Sequence, residues 1–372
     1  MKDNKVCSRC VMDTTDSGIQ FDTMGRCNYC TDAFTRMTSE YFPNEEGKRR
    51  LDALMQRIKQ DGKGEAYDCM VGVSGGLDSS YVVYLGIQYG LRMLCVHIDD
   101  GLNTEIAVQN IYALCKSANA ELLIIRPNMD QYRDITRSFF LAGVPNLAMA
   151  QDNILFKALQ DIAKQYKQKY SLSGRNFSME SILQRGDEPI NACDKKHVLG
   201  IQKRFGRIKP TEIRFMSLIE RYIGTRYFQR VKTVCPLNYI DYRMDTALTD
   251  LHEFCGYLYC GGKHYESVLT RFLQCYYLPT HFDFDKRKSH FSSLIVTNQM
   301  TRDEALLRLT EPTYTSDLMR EEDFHTLATF IDMTDNEFAE VLDRPKHRHT
   351  DYPVSLLNSL APIARKFRKY LG

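Results

Sequence analysis

Nowhere in the 372 residues does an apolar run approach the ~18 residues of a membrane-spanning helix. The opening residues, Met1-Lys2-Asp3-Asn4-Lys5, run straight into cysteines without the apolar core of a signal peptide. Both absences lead us to expect a cytoplasmic protein with no membrane span. A dominant charge is missing too. Lys and Arg number 49 and Asp and Glu 47, a formal net charge of +2, so nothing global calls for a nucleic acid as partner. The bias is local: between 344 and 372 seven Lys/Arg face a single acid, Asp351. No glycine-rich loop ends in Gly-Lys-Ser/Thr, which excludes a Walker A nucleotide site. There is no internal repeat and no low-complexity tract.

What is present suits a folded chain. With 43% hydrophobic and 26% charged residues it can bury a sizeable core, enough for about two domains or one α/β domain with appendages. Twelve cysteines in a protein expected in a reducing compartment read as metal ligands and buried thiols rather than disulfides. Cys7-Ser8-Arg9-Cys10 and Cys27-Asn28-Tyr29-Cys30 are two C-x₂-C pairs sixteen residues apart. That is the spacing of a tetrahedral Cys₄ zinc site, which would organise a segment too short to fold on its own core. The other eight cysteines are dispersed and read as buried small hydrophobes, Cys193 and Cys235 lying near expected strand ends.

From residue 68 the pattern changes. Residues 68–73 are a short apolar run ending in glycine and serine, 81–89 have helical spacing, and 92–98 are a second apolar run. Residues 105–118 are amphipathic and 121–125 form a third run. Further helices are expected near 131–141 and 152–166, and further strands at 170–174 and 231–235. This predicts an α/β fold: a doubly wound parallel sheet of about five strands. The expected organisation is a Cys₄ zinc module and linker in 1–45, the α/β domain in 46–240, and a mainly helical substrate or partner region in 241–372. Capping-box spacings at Thr301–Glu304 and Thr334–Glu337 mark helix starts in the last part.

Between the first strand and the first helix lies Ser74-Gly75-Gly76-Leu77-Asp78-Ser79-Ser80. A loop of small residues leaving a buried strand and entering a helix offers backbone N–H groups and the positive helix end to an anion. A carboxylate such as Asp78 is costly beside a triphosphate unless a cation lies between them, so Asp78 reads as a Mg²⁺ ligand.

This loop resembles the PP-loop of the ATP pyrophosphatases, a HUP/Rossmann-like family that includes NAD synthetase, GMP synthetase, asparagine synthetase and tRNA-modifying ligases. The resemblance implies that Val73, Ser74, Gly75, Gly76, Asp78, Ser79 and Ser80 hold ATP, with Ser74, Asp78 and Ser79 in the catalytic machinery. Gly174-Arg175-Asn176-Phe177-Ser178-Met179-Glu180 resembles the NAD synthetase segment in which a glycine precedes a Mg²⁺-binding glutamate. It implies Gly174 at the nucleotide and Glu180 beside Asp78 on Mg²⁺. Asp99, at the end of the second strand, falls where the family binds adenosine partly through backbone groups.

A narrower resemblance is to the N-acetyl sugar amidotransferase family, which makes acetamidino sugars for bacterial surface polysaccharides such as O-antigen. It is carried by Cys-x₂-Cys-Val-Met-Asp-Thr-Thr-Asp at 7–16, Phe21-Asp22 and Gly25, the loop at 74–80, and Ala142-Gly143-Val144-Pro145. Gly261-Gly262-Lys263-His264-Tyr265-Glu266-Ser267 and Asp285-Lys286-Arg287-Lys288 leading to Ser292-Ser293-Leu294-Ile295 complete it. The sequence departs from the family at Asp99-Asp100, where relatives carry one acid followed by Asn, and at Gly174-Arg175-Asn176, a less glycine-rich turn. The resemblance implies adenylylation of the acetamido oxygen of a nucleotide-activated (UDP-) sugar and its replacement by ammonia, releasing AMP and pyrophosphate. Lys263, His264, Arg271, Lys286 and Arg287 are the implied substrate-binding cations, Lys263 and His264 being also catalytic candidates. With no glutaminase portion recognisable, ammonia is expected from a separate glutamine amidotransferase with a cyclase-like channel subunit, and a homo-oligomer is possible. Two other readings compete. One is a PP-loop tRNA thiolation enzyme, in which Cys193 and Cys235 would be the extra cysteines; the other is a non-catalytic nucleotide-binding scaffold.

Overall fold

Residues 69–72 and 93–98 are apolar on both sides of the strand. Cys69, Val71, Met93 and Cys95 join one hydrophobic cluster, and Met70, Leu94 and Val96 join another on the opposite face. Two-sided burial is what a parallel sheet covered by helices demands. In the computed structural model, which describes residues 4–184, 190–229 and 231–358, these runs are the centre of a five-stranded sheet. Its strands are β1 (Cys69–Gly72), β2 (Met93–Ile98), β3 (Glu121–Ile125), β4 (Tyr170–Leu172) and β5 (Lys232–Val234). All pairs are parallel and the order is β3-β2-β1-β4-β5. The chain therefore winds outward from β1 to β3, returns, and continues from β4 on the other side of β1. That reversal is a topological switch point, where the loops leaving β1 and β4 separate at the carboxyl edge and leave a crevice.

Among the described residues, fifteen α-helices accompany the sheet. Two precede it, α1 (Asn28–Glu40) and α2 (Glu45–Asp61); α3 (Leu77–Gln88), α4 (Glu105–Ser117), α5 (Met129–Ala142) and α6 (Met149–Gln165) connect the first four strands. Between β4 and β5 come α7 (Phe177–Glu180) and α8 (Lys195–Phe205). After β5 follow α9 (Met244–Cys255), α10 (Val268–Phe272), α11 (Leu278–Phe282) and α12 (Lys286–Val296). The last are α13 (Arg302–Leu309), α14 (Asp317–Phe330) and α15 (Asp335–Asp343). The starts of α13 and α15 are the capping boxes expected at Thr301–Glu304 and Thr334–Glu337, each with side chain and backbone bonded reciprocally. No helix among the described residues is long and apolar enough to cross a membrane. The basic stretch read at 344–372 lies outside the described residues from 359 onward.

One hydrophobic cluster takes residues from α5, α6 and α8 and from α10, α14 and α15 together. In its middle Phe272 packs against Phe140 and Phe338, with ring centroids 6.2 and 5.8 Å away. The helices after β5 thus complete the core that the helices of the sheet begin. We expect Phe272→Ala to cost about 3–5 kcal/mol in one cooperative denaturant transition. A loss below about 1 kcal/mol, or a separate early transition, would show that the C-terminal helices are not part of the common core.

Candidate functional site

The glycines of the loop explain its shape. Gly75 has φ +79°, and a Cβ there would meet the carbonyl oxygen of Ala107 at 2.3 Å, so only glycine fits. Its own carbonyl accepts from Asn110 Nδ2 (3.2 Å) and the Tyr257 hydroxyl (3.1 Å), which fixes the turn from behind. Gly76 is the N-cap of α3, and among the described residues no side chain caps that helix. First-turn N–H groups are thus left for an anion. Ser74 Oγ and Ser79 Oγ lie 3.3 Å apart across the loop, and the buried Ser80 turns away to donate to the Gly76 carbonyl (2.8 Å). From the other side of the switch point, Gly174 approaches so closely that a Cβ would lie 2.7 Å from the Ser79 nitrogen.

Around this loop lies a cavity of about 590 Å³, lined among others by Val73, Ser74, Gly76, Asp78, Ser79, Gly174, Glu180, Lys263 and His264. The Lys263 ammonium stands between the two expected Mg²⁺ ligands, 3.1 Å from Asp78 Oδ2 and 3.0 Å from Glu180 Oε1. Burial opposes its charge, but the two carboxylates outweigh burial and hold its pKa above that of an ordinary lysine. A divalent cation would find two carboxylates here, with no third acid close enough to form a three-ligand cluster with them; the four cysteines are the one such cluster among the described residues. That suits Mg²⁺, which takes one or two carboxylates and completes its shell with water and phosphate oxygens.

A second cavity, of about 1170 Å³, adjoins the first. Asp152, Arg175, Glu180, His264 and Thr270 line both, so the two cavities meet at these residues. Burial pushes the Asp152 carboxyl up to about 6, against the opposing pull of His264 and Lys286.

Not every sequence candidate reaches the loop. Asp99 is turned outward into an ion pair with Arg126, and it is Asp100 that lines the loop cavity, bonded to Tyr132 (3.0 Å) and Gln151 (2.5 Å). Arg271 is committed to the buried Asp323 through two bonds of 2.8 and 2.6 Å. Arg287 pairs with Asp285 and donates to the carbonyl of Glu311 at 2.8 Å, tying down the end of α13. Lys286 lines the second cavity only. Cys193 is buried with Met216 and Leu218, and neither it nor Cys235 lines the loop cavity; Cys260 does, its thiol pushed up to about 11 by burial.

Other residues gave no functional signal in the sequence. Tyr242 donates to Asp78 Oδ1 at 2.5 Å from a segment without any motif. Glu266, quoted above only as part of a matching segment, accepts from Ser74 Oγ at 3.3 Å and is held ionised, burial being outweighed by His264 and Ser74.

The four cysteines of the N-terminal module converge. Cys7 and Cys30 sulfurs are 3.7 Å apart and those of Cys10 and Cys27 3.5 Å, close to the roughly 3.8 Å edge of a tetrahedron with ~2.3 Å metal–sulfur bonds. Backbone N–H groups of Arg9, Cys10 and Cys27 point at Cys7 Sγ, and Arg9 Nε at Cys30 Sγ, an environment that favours thiolates. The residues present fit a metal ion. The module is docked by α12 and α13: Arg302 donates to the Cys7 and Cys10 carbonyls (3.0 and 3.2 Å), Lys288 pairs with Asp13 (2.7 Å), and Ser292 accepts from Val11 N.

With this geometry in place, the comparisons can be weighed. Residues 266–362 match the family model of LPS biosynthesis protein WbpG-like, C-terminal domain. The chain carries that domain. The match bears out the family resemblance read from the sequence, and it begins at the glutamate that touches Ser74. No curated protein matches the sequence. Among solved structures, the U34-tRNA thiolase NcsA from Methanococcus maripaludis with its [4Fe-4S] cluster aligns over 92% of this chain and 89% of its own, at 15% identity and a TM-score of 0.35. An NH₃-dependent NAD synthetase from Campylobacter jejuni aligns over 48% and 78%, at 19% identity and a TM-score of 0.28. NMN synthetase from Francisella tularensis aligns over 57% and 92%, at 16% and 0.28. The family match and the phosphate loop at the switch point support an ATP-using enzyme of the PP-loop type.

Two outcomes follow. Gly174→Ala forces the β4 loop off the start of α3 and should weaken ATP binding roughly a hundredfold, with the far-ultraviolet circular dichroism unchanged; unaltered ATP affinity would remove Gly174 from the site. Cys30→Ser should lose the bound metal in elemental analysis and lower stability by an amount on the order of several kcal/mol.

Proposed function

We infer that this chain is an ATP-dependent amidotransferase that converts the acetamido group of a nucleotide-activated N-acetyl sugar into an acetamidino group, releasing AMP and pyrophosphate. The observation that carries the reading is the adjacency of the two cavities, which share Asp152, Arg175, Glu180, His264 and Thr270 as lining. A phosphate loop, with two carboxylates and a lysine beside it, thus lies against a larger space from which an acceptor oxygen would approach the α-phosphorus of ATP. The WbpG-like match supports a place in bacterial surface-polysaccharide biosynthesis, hence a cytoplasmic enzyme.

An amide carbonyl is a poor electrophile and its oxygen a poor leaving group, so ammonia cannot displace it unaided. Attack of the acetamido oxygen on the α-phosphorus forms the C–O–P bond of an O-adenylyl imidate and breaks the bond to pyrophosphate. Backbone N–H groups at Gly76 and the start of α3, with Ser74 and Ser79, receive the departing charge. Asp78 and Glu180 would hold Mg²⁺, which neutralises phosphate charge when bound. Lys263, bonded to both carboxylates, would stay within reach of the phosphates if Mg²⁺ took its place between them. Ammonia then adds to the imidate carbon and AMP leaves with the former acetamido oxygen. The four thiolates would hold Zn²⁺ in a closed structural site. Ammonia would come from a separate glutaminase with a channel subunit.

The oxygen bookkeeping gives a decisive test. With an ¹⁸O-labelled acetamido sugar nucleotide, ammonia and MgATP, the label should appear in AMP by mass spectrometry, and Asp78→Ala should lower turnover by about a hundredfold or more. Glutamine offered alone should not replace ammonia. Formation of only ADP and inorganic phosphate, with every acceptor tried, would overturn the reading.

A further inference from the structure

The cysteine module does more than close on a metal, because its first turns and α1 form one side of the larger cavity. Thr15, Ser17, Tyr29 and Arg36 line it from the module, facing Arg175, Lys286 and Arg348 from the rest of the chain. The residues that dock the module, Lys288 and Ser292, lie on the same helix as Lys286. Closing the module on α12 and walling the cavity are therefore one event.

The charges on these walls are unequal. Arg36 is neutralised by Asp32 and Glu40, each at 2.9 Å. Arg175, Lys286 and Arg348 form no salt bridge among the described residues. Lys286 is recessed enough for burial to depress its pKa, and it feels Glu180 and Asp152 only as neighbours in its field. Its ammonium lies 5.8 Å from the Phe284 ring centroid but has no carboxylate at salt-bridge distance among the described residues, and a recessed cation so placed is stabilised by an anionic ligand. On the reading that the two substrates react, the ligand must also extend to Asp152, Glu180 and His264, where the two cavities meet. About 1170 Å³ is far more than ammonia or a bare monosaccharide fills, and it exceeds the roughly 300–1,000 Å³ of ordinary small-molecule sites, leaving room for a nucleotide-sized ligand.

We propose that the larger cavity is the acceptor site, that it binds a nucleoside-diphosphate acetamido sugar with the diphosphate on Lys286, Arg175 and Arg348 and the acetamido group at the junction, and that the cysteine module is one of its walls. This rests on the reading that the loop cavity holds ATP, and the test separates the two. It also assigns the N-terminal module to substrate recognition, a role that a purely stabilising staple would not have.

The test is calorimetric titration of the metal-loaded full chain with UDP-N-acetylglucosamine, with UDP, with N-acetylglucosamine 1-phosphate, and separately with ATP and Mg²⁺. Lys286→Met should weaken UDP-N-acetylglucosamine and UDP about tenfold or more while leaving ATP within about twofold. Ser79→Ala, on the phosphate loop and away from the larger cavity, should do the reverse. Chelation of the metal, confirmed by elemental analysis, should weaken the UDP ligands and spare ATP. Undiminished UDP-N-acetylglucosamine binding by Lys286→Met overturns the diphosphate assignment, and undiminished binding after chelation overturns the wall. Binding of the sugar 1-phosphate without UDP binding overturns the nucleoside part. If ATP itself fails to bind, the loop reading falls while the Lys286 result still decides what the larger cavity takes.

Discussion

The structure depends on one steric constraint, the contact between two loops at the reversal of the sheet. Because β4 pairs with β1 on the side opposite β2, the turn after β4 must pass the start of α3. It passes so near that a methyl group at Gly174 would lie 2.7 Å from the Ser79 nitrogen. The close approach places Glu180, three residues into α7's short turn, across from Asp78 on the first turn of α3. Neither carboxylate would face the other if the chain wound in a single direction, so the site's chemistry is a consequence of strand order.

The motifs scattered along the sequence acquire a common reason in this arrangement. The Val-Met-Asp-Thr stretch after Cys10 and the Lys-Arg-Lys and Ser-Ser stretches at 286–293 are nearly 300 residues apart, yet they touch: Asp13 meets Lys288 and Val11 meets Ser292, while Ser293 accepts from Ile182. Gly143, in the left-handed region with φ +61°, caps α5, and its carbonyl accepts from His347. Pro145 then lines the larger cavity. Apart from Phe21, Asp22 and Gly25, whose contacts lie within the cysteine module, each segment that resembles the amidotransferase family either lines a cavity or holds a lining segment in place.

The sheet was legible because its signal is local. Apolar runs of four to six residues, each ending at a turn, alternate with helical spacing, and every expected strand is found within about two residues of its place. The loop and the cysteine pairs were legible for the same reason, since a close-packed loop and a tetrahedral site each compress into one or two short motifs. Lys263 and Glu180 came from family resemblance, and the structure puts both at the loop. What could not be read was the direction of charged side chains. Arg271 and Arg287 carry the charge a substrate would need, but a buried Asp323 and a set of helix-end carbonyls claim them, and those partners lie tens of residues away. Asp99 and Asp100 are adjacent and chemically alike; which one faces the cavity depends on Arg126 standing beside the first and Tyr132 and Gln151 beside the second. Tyr242 was invisible because a tyrosine in an unremarkable segment has no pattern of its own.

The position of Lys263 bears on how such a site tolerates its own charges before any nucleotide arrives. Two half-buried carboxylates facing one another repel. An ammonium about 3 Å from each offsets that repulsion, at the cost of its own burial, and the balance favours the charged lysine. The same ammonium is on a long flexible stem, whereas Asp78 is fixed by Tyr242 on one side and by its place in the first turn of α3. Asp78 is therefore the rigid member of the pair and Lys263 the movable one. A divalent cation held by the two carboxylates would compete with the lysine for them, and the long stem would let the ammonium give way.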